Sequence, residues 1–346
     1  MSRNYYLCVL ESAYLINILF RNVSTEKESI MKDKTILAVD VGGTKILIGE
    51  VDMNGKVLTQ VKRLSDITSQ PIAVAQIIKV IDEYLQNRVI GDIQAISIDT
   101  VGRVNSESGI WYEIDPTIAT PIDVAKEVKT RFKLPCYVIN DLAAATVAEN
   151  LLGIGNVTKN FIYMSIGTGI AGRLVIDGKI LLGEDYDAGE FGHMVVDSES
   201  DVKCICGRYG CVEPLASGLG MSNQAHTLKD DYKTELNILP GQRVGAQELF
   251  AAYDKHDDLA VAIVDQSLQA TSNMIMNLVR AVNPKAIRFG GGVMTGDWYI
   301  DHLQKFLEPA TMRFVTYGVE NTELDPNLIT LQGCALFAVN KLSDER

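Results

Sequence analysis

The chain has 346 residues, 47% of them hydrophobic and 22% charged, with 28 glycines and a formal net charge of −12. That length carries one large or two medium domains with ample core, and the acidic balance argues against a nucleic-acid backbone or an anionic membrane as partner. Three of the six cysteines, Cys8, Cys136 and Cys334, stand singly in apolar surroundings and show no disulfide framework, which points to the cytoplasm.

Residues 1–34 read differently from the rest. Tyr5–Leu10 and Ala13–Phe20 are apolar, but Glu11 interrupts them and no small-residue cleavage site follows. Neither piece is long enough to span a bilayer. Met31 precedes a clean strand start, so the segment reads as an upstream extension or a disordered tail, without a function of its own.

From Thr35 the patterning becomes regular. The apolar runs Thr35–Val41 and Ile46–Asp52, the turn Asn54-Gly55 and the alternating Val57–Leu64 predict an antiparallel three-strand unit. A helix over Pro71–Gln86, a buried strand at Ile93–Ile98, a strand at Cys136–Ile139 and a helix at Asp141–Leu152 follow. The pattern then restarts, with a second meander of Phe161–Ile166, Leu174–Ile176 and Lys179–Leu182 that turns at Asp177-Gly178. A long helix runs from about Leu259 to Val282 and stops at Asn283-Pro284. A strand at Ala286–Phe289, a helix from about Asp297, a strand at Leu328–Leu331 and a closing helix from Gly333 complete the chain. Two β-β-β-then-α/β halves predict an α/β protein of two similar lobes with a cleft between them. The N-terminal lobe covers 35–150 together with the closing helix 333–346, and the C-terminal lobe covers 151–332.

Chemistry is densest between Glu190 and Glu213. His193, Cys204, Cys206 and Cys211 offer one imidazole and three thiolates, a complete tetrahedral set for structural zinc with no position left for a catalytic water. The alternative is a cluster of small buried hydrophobes with a chance Cys-x-Cys. Such a metal would hold Glu190, His193 and Glu213 in place. The two carboxylates suit the vicinal hydroxyls of a sugar, and equally a solvated surface. Gly102-Arg103 offers a further polar contact from the first lobe.

Asp40-Val41-Gly42-Gly43-Thr44-Lys45 occupies the tip of a strand–turn–strand, and Gly167-Thr168-Gly169 holds the equivalent place in the second half. Glycines there let backbone N–H groups approach phosphate oxygens. Either turn alone passes for an ordinary hairpin, whereas two facing one cleft make a phosphate clamp. A third run, Gly290-Gly291-Gly292, would let a nucleoside lie against the backbone. Asn140-Asp141 stands where a buried strand gives way to a helix. Asp141 is then either a helix N-cap or the base that accepts a hydroxyl proton while Asn140 orients the substrate. Phosphoryl transfer to an alcohol asks for such an Asp, a phosphate clamp and Mg²⁺, and the glycine turns tip the reading toward the base.

In this order the motifs DVGGTK (40–45), IND (139–141), IGTG (166–169), ExGH (190–193) and CxCGxxGCxE (204–213) resemble the ROK (repressor, open reading frame, kinase) family of sugar kinases. The resemblance runs from about Thr35 to the C terminus. It implies a two-lobed actin-like ATPase fold, the ribonuclease H-like duplicated β-β-β-α-β-α arrangement. It also implies an ATP- and Mg²⁺-dependent hexose kinase, glucokinase-like, with N-acylmannosamine kinase as the alternative. A non-catalytic sugar sensor or a transcriptional regulator is a further alternative. Family repressors add a winged helix-turn-helix, for which the 34 residues before Thr35 are too few. Carried over by position, Asp40 helps place Mg²⁺, and the nucleotide meets Gly42, Gly43, Thr44, Lys45, Gly167, Thr168, Gly169, Gly290, Gly291 and Gly292. The sugar meets Gly102, Arg103, Asn140, Asp141, Glu190, His193 and Glu213, and zinc takes His193 with the three cysteines. Asp141 removes the proton of the sugar 6-hydroxyl as it attacks the γ-phosphate. A homodimer is a further implication. Three positions depart from the family. Arg173 replaces a loop glycine and is expected to crowd or salt-bridge the nucleotide phosphates. Val101 replaces a proline, and Asp115-Pro116-Thr117 lies near the place of a Pro-Asn pair.

Overall fold

The computed structural model describes residues 33–114, 116–117 and 119–345. The expected leader over residues 1–34, apart from Asp33 and Lys34, lies outside the described residues, as do Cys8 and Asp115.

The first half opens with strands β1 (Lys34–Val41), β2 (Lys45–Asp52) and β3 (Val61–Leu64), then helix α1 (Gln70–Asn87). Strand β4 (Asp92–Thr100) leads into a small sheet of β5 (Arg103–Asn105), β6 (Ile110–Glu113) and β7 (Ile122–Asp123). Helix α2 (Val124–Phe132), strand β8 (Cys136–Asn140) and helix α3 (Asp141–Leu151) close this half. The second half begins with β9 (Phe161–Ile166), β10 (Ile170–Ile176) and β11 (Lys179–Ile180). Helices α4 (Val212–Ala216), α5 (Gly218–Leu228), α6 (Ala246–Tyr253) and α7 (Asp258–Val282) follow. Then come β12 (Ala286–Gly290), α8 (Trp298–Leu303), α9 (Pro309–Met312), β13 (Val319–Asn321) and α10 (Ile329–Asp344).

The two large sheets have the same construction. The first runs β3-β2-β1-β4-β8 and the second β11-β10-β9-β12-β13. In each, three antiparallel strands are followed by two parallel ones. β1 is apolar on both faces because both are covered. Leu37, Val39 and Val41 pack with Ile77 and Ile81 of α1, whereas Ile36 and Ala38 pack with Ala144 of α3 and Leu331 and Ala335 of α10. Each of the buried Leu, Ile and Val side chains contributes about 1.5–3 kcal/mol.

Helix boundaries follow local chemistry. Ser69 caps α1 with Pro71 in its first turn, where a missing N–H costs nothing. Asp257 caps α7, and Asn283 ends it in the left-handed conformation at φ 48° ahead of Pro284. α10 crosses α3 so closely that a Cβ built on Gly333 would lie 1.7 Å from the Ala144 carbonyl oxygen.

Two expectations need correction. Leu328–Leu331 is not a strand: apart from Leu328 it is the first turn of α10, and the edge strand is the three-residue β13 upstream. A four-residue run with three apolar members fits either a strand or a buried helix turn, so periodicity alone could not separate them. Val57–Leu64 is ordered as a strand only over Val61–Leu64, with a single bridge between Val51 and Val57.

Candidate active site in the cleft

Three carboxylates gather at the C-terminal ends of the first sheet's three parallel strands. Register places Asp40 on β1 opposite Asp99 on β4, and β8 ends at Asn140, immediately before Asp141. Alternation puts Asp40 and Asp99 on the face that also carries Ala38 and Ser97, and Ser97 Oγ donates to the Cys334 carbonyl of α10 at 2.6 Å. Asp99 is fully buried, and both its oxygens are among the polar atoms left without a conventional partner. Burial pushes the Asp99 carboxyl well above the ordinary carboxylate range, and the charges of Asp40 and Asp141 push it further. Asp40 is raised as well, by burial, which outweighs the opposing charge of Lys45. Asp99 was not among the residues singled out from sequence. The available signal was an acid at the end of the buried Ala95–Ile98 run, facing the same way as Asp40.

Asn140 is the N-cap of α3: its Oδ1 accepts the Ala143 N–H at 3.1 Å. Asp141 is therefore the first helical residue and is not needed as the cap. Its Oδ1 accepts from the Leu142 N–H at 2.8 Å and from Asn140 Nδ2 at 2.9 Å. Burial pushes its carboxyl up to about 6, opposed by the Leu142 hydrogen bond and the Arg173 charge, and reinforced by Asp40 and Glu190.

Asp141 borders a cleft of about 390 Å³ whose walls include Gly167, Thr168, Gly169, Glu190 and Glu213, together with Gly290 and Gly291. Both halves of the chain thus meet there. The Gly167 N–H closes its turn on the Gly169 carbonyl at 2.9 Å, and the N–H of Gly218 at the start of α5 anchors the same turn through the Gly167 carbonyl at 2.8 Å. The other expected residues stand apart from these walls. Gly42, Gly43, Thr44 and Lys45 form the β1–β2 turn, closed by Gly42 N–H to Lys45 O at 2.9 Å, and Gly292, Gly102, Arg103 and His193 also lie outside the cleft lining.

His193 sits in a short 3₁₀ turn, Phe191–His193, and its Nδ1 is 3.3 Å from Cys204 Sγ. Ligand atoms of His193, Cys204 and Cys206 lie within 4.8 Å of one another. Cys211 falls outside that tight group, but its Sγ is 3.7 Å from Cys206 Sγ. Zn–S bonds of about 2.3 Å at tetrahedral angles require a sulfur–sulfur edge of about 3.8 Å, which the Cys206–Cys211 pair matches, while His193, Cys204 and Cys206 form the tighter group of donors. Two residues beyond Cys211, Glu213 turns its Oε2 to the Ile170 N–H at 2.8 Å.

The ROK family profile matches residues 36–324. The chain belongs to the ROK family. It is 30% identical over 300 residues to a glucokinase of Halalkalibacterium halodurans, covering 84% of this chain and 90% of the relative. It is 28% identical to an N-acetylmannosamine kinase of Salmonella newport, covering 80% and 90% respectively. The ROK hexokinase of Thermus thermophilus superposes with a TM-score of 0.72 at 25% identity, over 90% of this chain and 99% of that one. The fold is accordingly that of the actin-like sugar kinases. Among the described residues no helix is long and apolar enough to cross a membrane.

Within this ROK chain the departing Arg173 does not go where the loop position implied. Its guanidinium donates to Gly172 O at 2.9 Å, Ala188 O at 2.7 Å and Asn140 Oδ1 at 3.1 Å, with Glu190 Oε1 at 3.8 Å. No atom of the Gly167–Gly169 turn is among its partners. Burial lowers the guanidinium's proton affinity, and the charges of Glu190 and Asp141 oppose that. Arg103 pairs with Glu113 at 2.8 Å and lies over the Tyr112 ring. The Gly102 carbonyl receives Asn140 Nδ2 at 3.0 Å.

Proposed function

We propose that this chain is an ATP-dependent hexose 6-kinase of glucokinase type, with Asp141 as general base. The observation that carries the reading is the place of Asp141: a carboxylate raised to about 6 on the wall of a cleft shared with the Gly167–Gly169 turn, Glu190 and Glu213. Its Oδ1 is held by Leu142 and Asn140, which leaves Oδ2 to receive the proton of an attacking hydroxyl. With a pKa near the working pH, the group is largely ionised at neutrality and still basic enough to take that proton.

Thr168 and Gly169 carry the turn's N–H groups that remain for phosphate oxygens, since Gly167 closes the turn itself. Glu213 and Glu190 would accept hydroxyl protons of the sugar, with Glu213 fixed by its bond to the Ile170 N–H. Asp40, Asp99 and Asp141 face one another with Lys45 as the opposing cation acting on Asp40. Such an excess of negative charge suits Mg²⁺ at Asp40, and the ion's contribution is to neutralise charge on the transferring phosphates. His193 Nδ1 and the Sγ atoms of Cys204, Cys206 and Cys211 would hold zinc as a structural ion, leaving His193 Nε2 for the sugar.

N-acylmannosamine kinase is the second reading, supported by the Salmonella relative and by the Gly102-Arg103 segment, whose carbonyl holds Asn140. A coupled ADP-release assay with Mg·ATP against glucose, mannose, fructose, allose, N-acetylmannosamine and N-acetylglucosamine decides between them. Turnover on glucose above the others supports the first reading, and preference for N-acetylmannosamine supports the second. No turnover on any sugar, with sugar binding retained in calorimetry, overturns both in favour of a sensor.

A further inference from the structure

We propose that Arg173 is a positioning residue for the sugar site, one that holds Asn140 and Glu190, from different halves of the chain, in a single arrangement. The inference rests on the reading of those two residues as sugar contacts. Arg173 is only 3% exposed, and a charge so buried persists only when paired and hydrogen-bonded. The partners are the Gly172 and Ala188 carbonyls, Asn140 Oδ1 and the Glu190 carboxylate. Arg173 Nε alone has no partner. A planar fork reaches backbone and side chain at once, which an ammonium cannot do.

The contact with Asn140 determines which way its amide faces. Asn140 Oδ1 receives two donors, Ala143 N–H and Arg173 Nη2, each at 3.1 Å. Nδ2 is thereby turned to the Gly102 carbonyl at 3.0 Å and to Asp141 Oδ1 at 2.9 Å. Reversing the amide would set its NH₂ against two donors and take from Asp141 one of its two, leaving only the Leu142 N–H, so Arg173 bears on Asp141 through Asn140. On the other side, Ala188 and Glu190 flank Gly189, whose φ is 108°. A Cβ built there would lie 1.9 Å from Gly172 O and 2.6 Å from Arg173 Nη1, so the loop closes directly on the guanidinium. Arg173 itself does not line the cleft. It acts through the residues that do, and through Asn140.

The test compares Arg173→Met and Arg173→Lys in initial-rate assays on the sugar that the wild type turns over best. Loss of a buried charge-assisted bond predicts a sugar KM about ten- to a hundredfold higher for Arg173→Met, with the ATP KM within about twofold. Arg173→Lys keeps the charge without the fork and falls between. In an Asn140→Ala background, Arg173→Met raises the sugar KM by a smaller factor than in the wild type, because one of its two sugar-site partners is already gone and only Glu190 remains. An unchanged sugar KM, a rise confined to the ATP KM, or equal effects in both backgrounds overturns the proposal. If Arg173→Met does not fold, Gly189→Ala displaces the same loop from the guanidinium. A folded Gly189→Ala with wild-type sugar KM overturns the proposal equally. If the wild type turns over no sugar, the kinase reading fails instead. Sugar affinity by calorimetry then replaces KM, and weaker binding by Arg173→Met still supports the role.

Discussion

The Glu213 carboxylate accepts the Ile170 N–H at 2.8 Å, so the segment that carries Cys211 is bonded directly to the strand leaving the Gly167–Gly169 turn. A Cβ built on Gly169 would sit 2.7 Å from the same carboxylate oxygen, which shows how tightly the two pieces meet. The thiol- and imidazole-rich segment and the glycine turn are therefore joined directly.

Replacing Glu213 should disturb both substrates at once. Glu213→Ala removes a charged acceptor from the Ile170 N–H, a change worth about 1.5–3 kcal/mol. The expected result is a fall of about ten- to a hundredfold in kcat/KM for sugar and for ATP alike. Glu213→Gln keeps an acceptor and should lose less. A Glu213→Ala enzyme with wild-type ATP kinetics would contradict the coupling.

Asp141 makes a paired prediction about rate and stability. Asp141→Asn should reduce kcat by about 10²–10⁴, the typical worth of a positioned base, with sugar affinity within a few-fold by calorimetry. The wild-type rate should fall on the acid side with an apparent pKa of about 6, as the carboxylate takes up a proton. For stability the sign is opposite. A carboxyl raised in the folded state favours folding below its unfolded value near 3.8, and that advantage is lost as pH rises through about 6. Asp141→Asn should consequently unfold later than wild type in urea at pH 8, by up to about 3 kcal/mol. Equal or lower stability of the variant at pH 8 would count against the strained carboxylate.

Metal removal tests the cysteine cluster. We expect about one zinc per chain by elemental analysis, set by a single four-ligand site. Chelation, or Cys206→Ser, should lower the melting temperature and raise the sugar KM, because the Glu213 segment slackens. Full activity in metal-free wild-type protein would exclude this role.

The crossing of α10 over α3 tests the packing. Gly333→Ala gains about 1 kcal/mol of helix propensity, but its Cβ would collide with the Ala144 backbone oxygen. Overpacking of this kind typically costs about 1–3 kcal/mol before relaxation. A lower urea midpoint at unchanged slope is expected, and an unchanged midpoint would show that the helices can part freely.

Much of this organisation could be read from residues. The repeated β-β-β pattern gave both halves, because strands covered on two faces are continuous apolar runs and the turns between them carry Asn-Gly and Asp-Gly. α7 was legible from its apolar spacing and its Asn283-Pro284 stop. β13 was not, since three residues with one buried valine carry no periodicity. Arg173 stood out as a departure, but its destination depends on how β10 meets the end of β8, which no local pattern encodes. Asp99 was hidden for a related reason: a lone acid in a strand shows its neighbours only when the register of β1 on β4 is fixed.

α10 emerges from the ribosome after every strand of both sheets, yet it completes the first sheet's core through Leu331, Cys334 and Ala335. Ser97 and Cys334, bonded through Oγ and carbonyl, lie 237 residues apart. The sheet made first is thus the one finished last. During synthesis Ile36 and Ala38 have only α3 to cover them until α10 is made, and a half-covered apolar face of this kind invites aggregation.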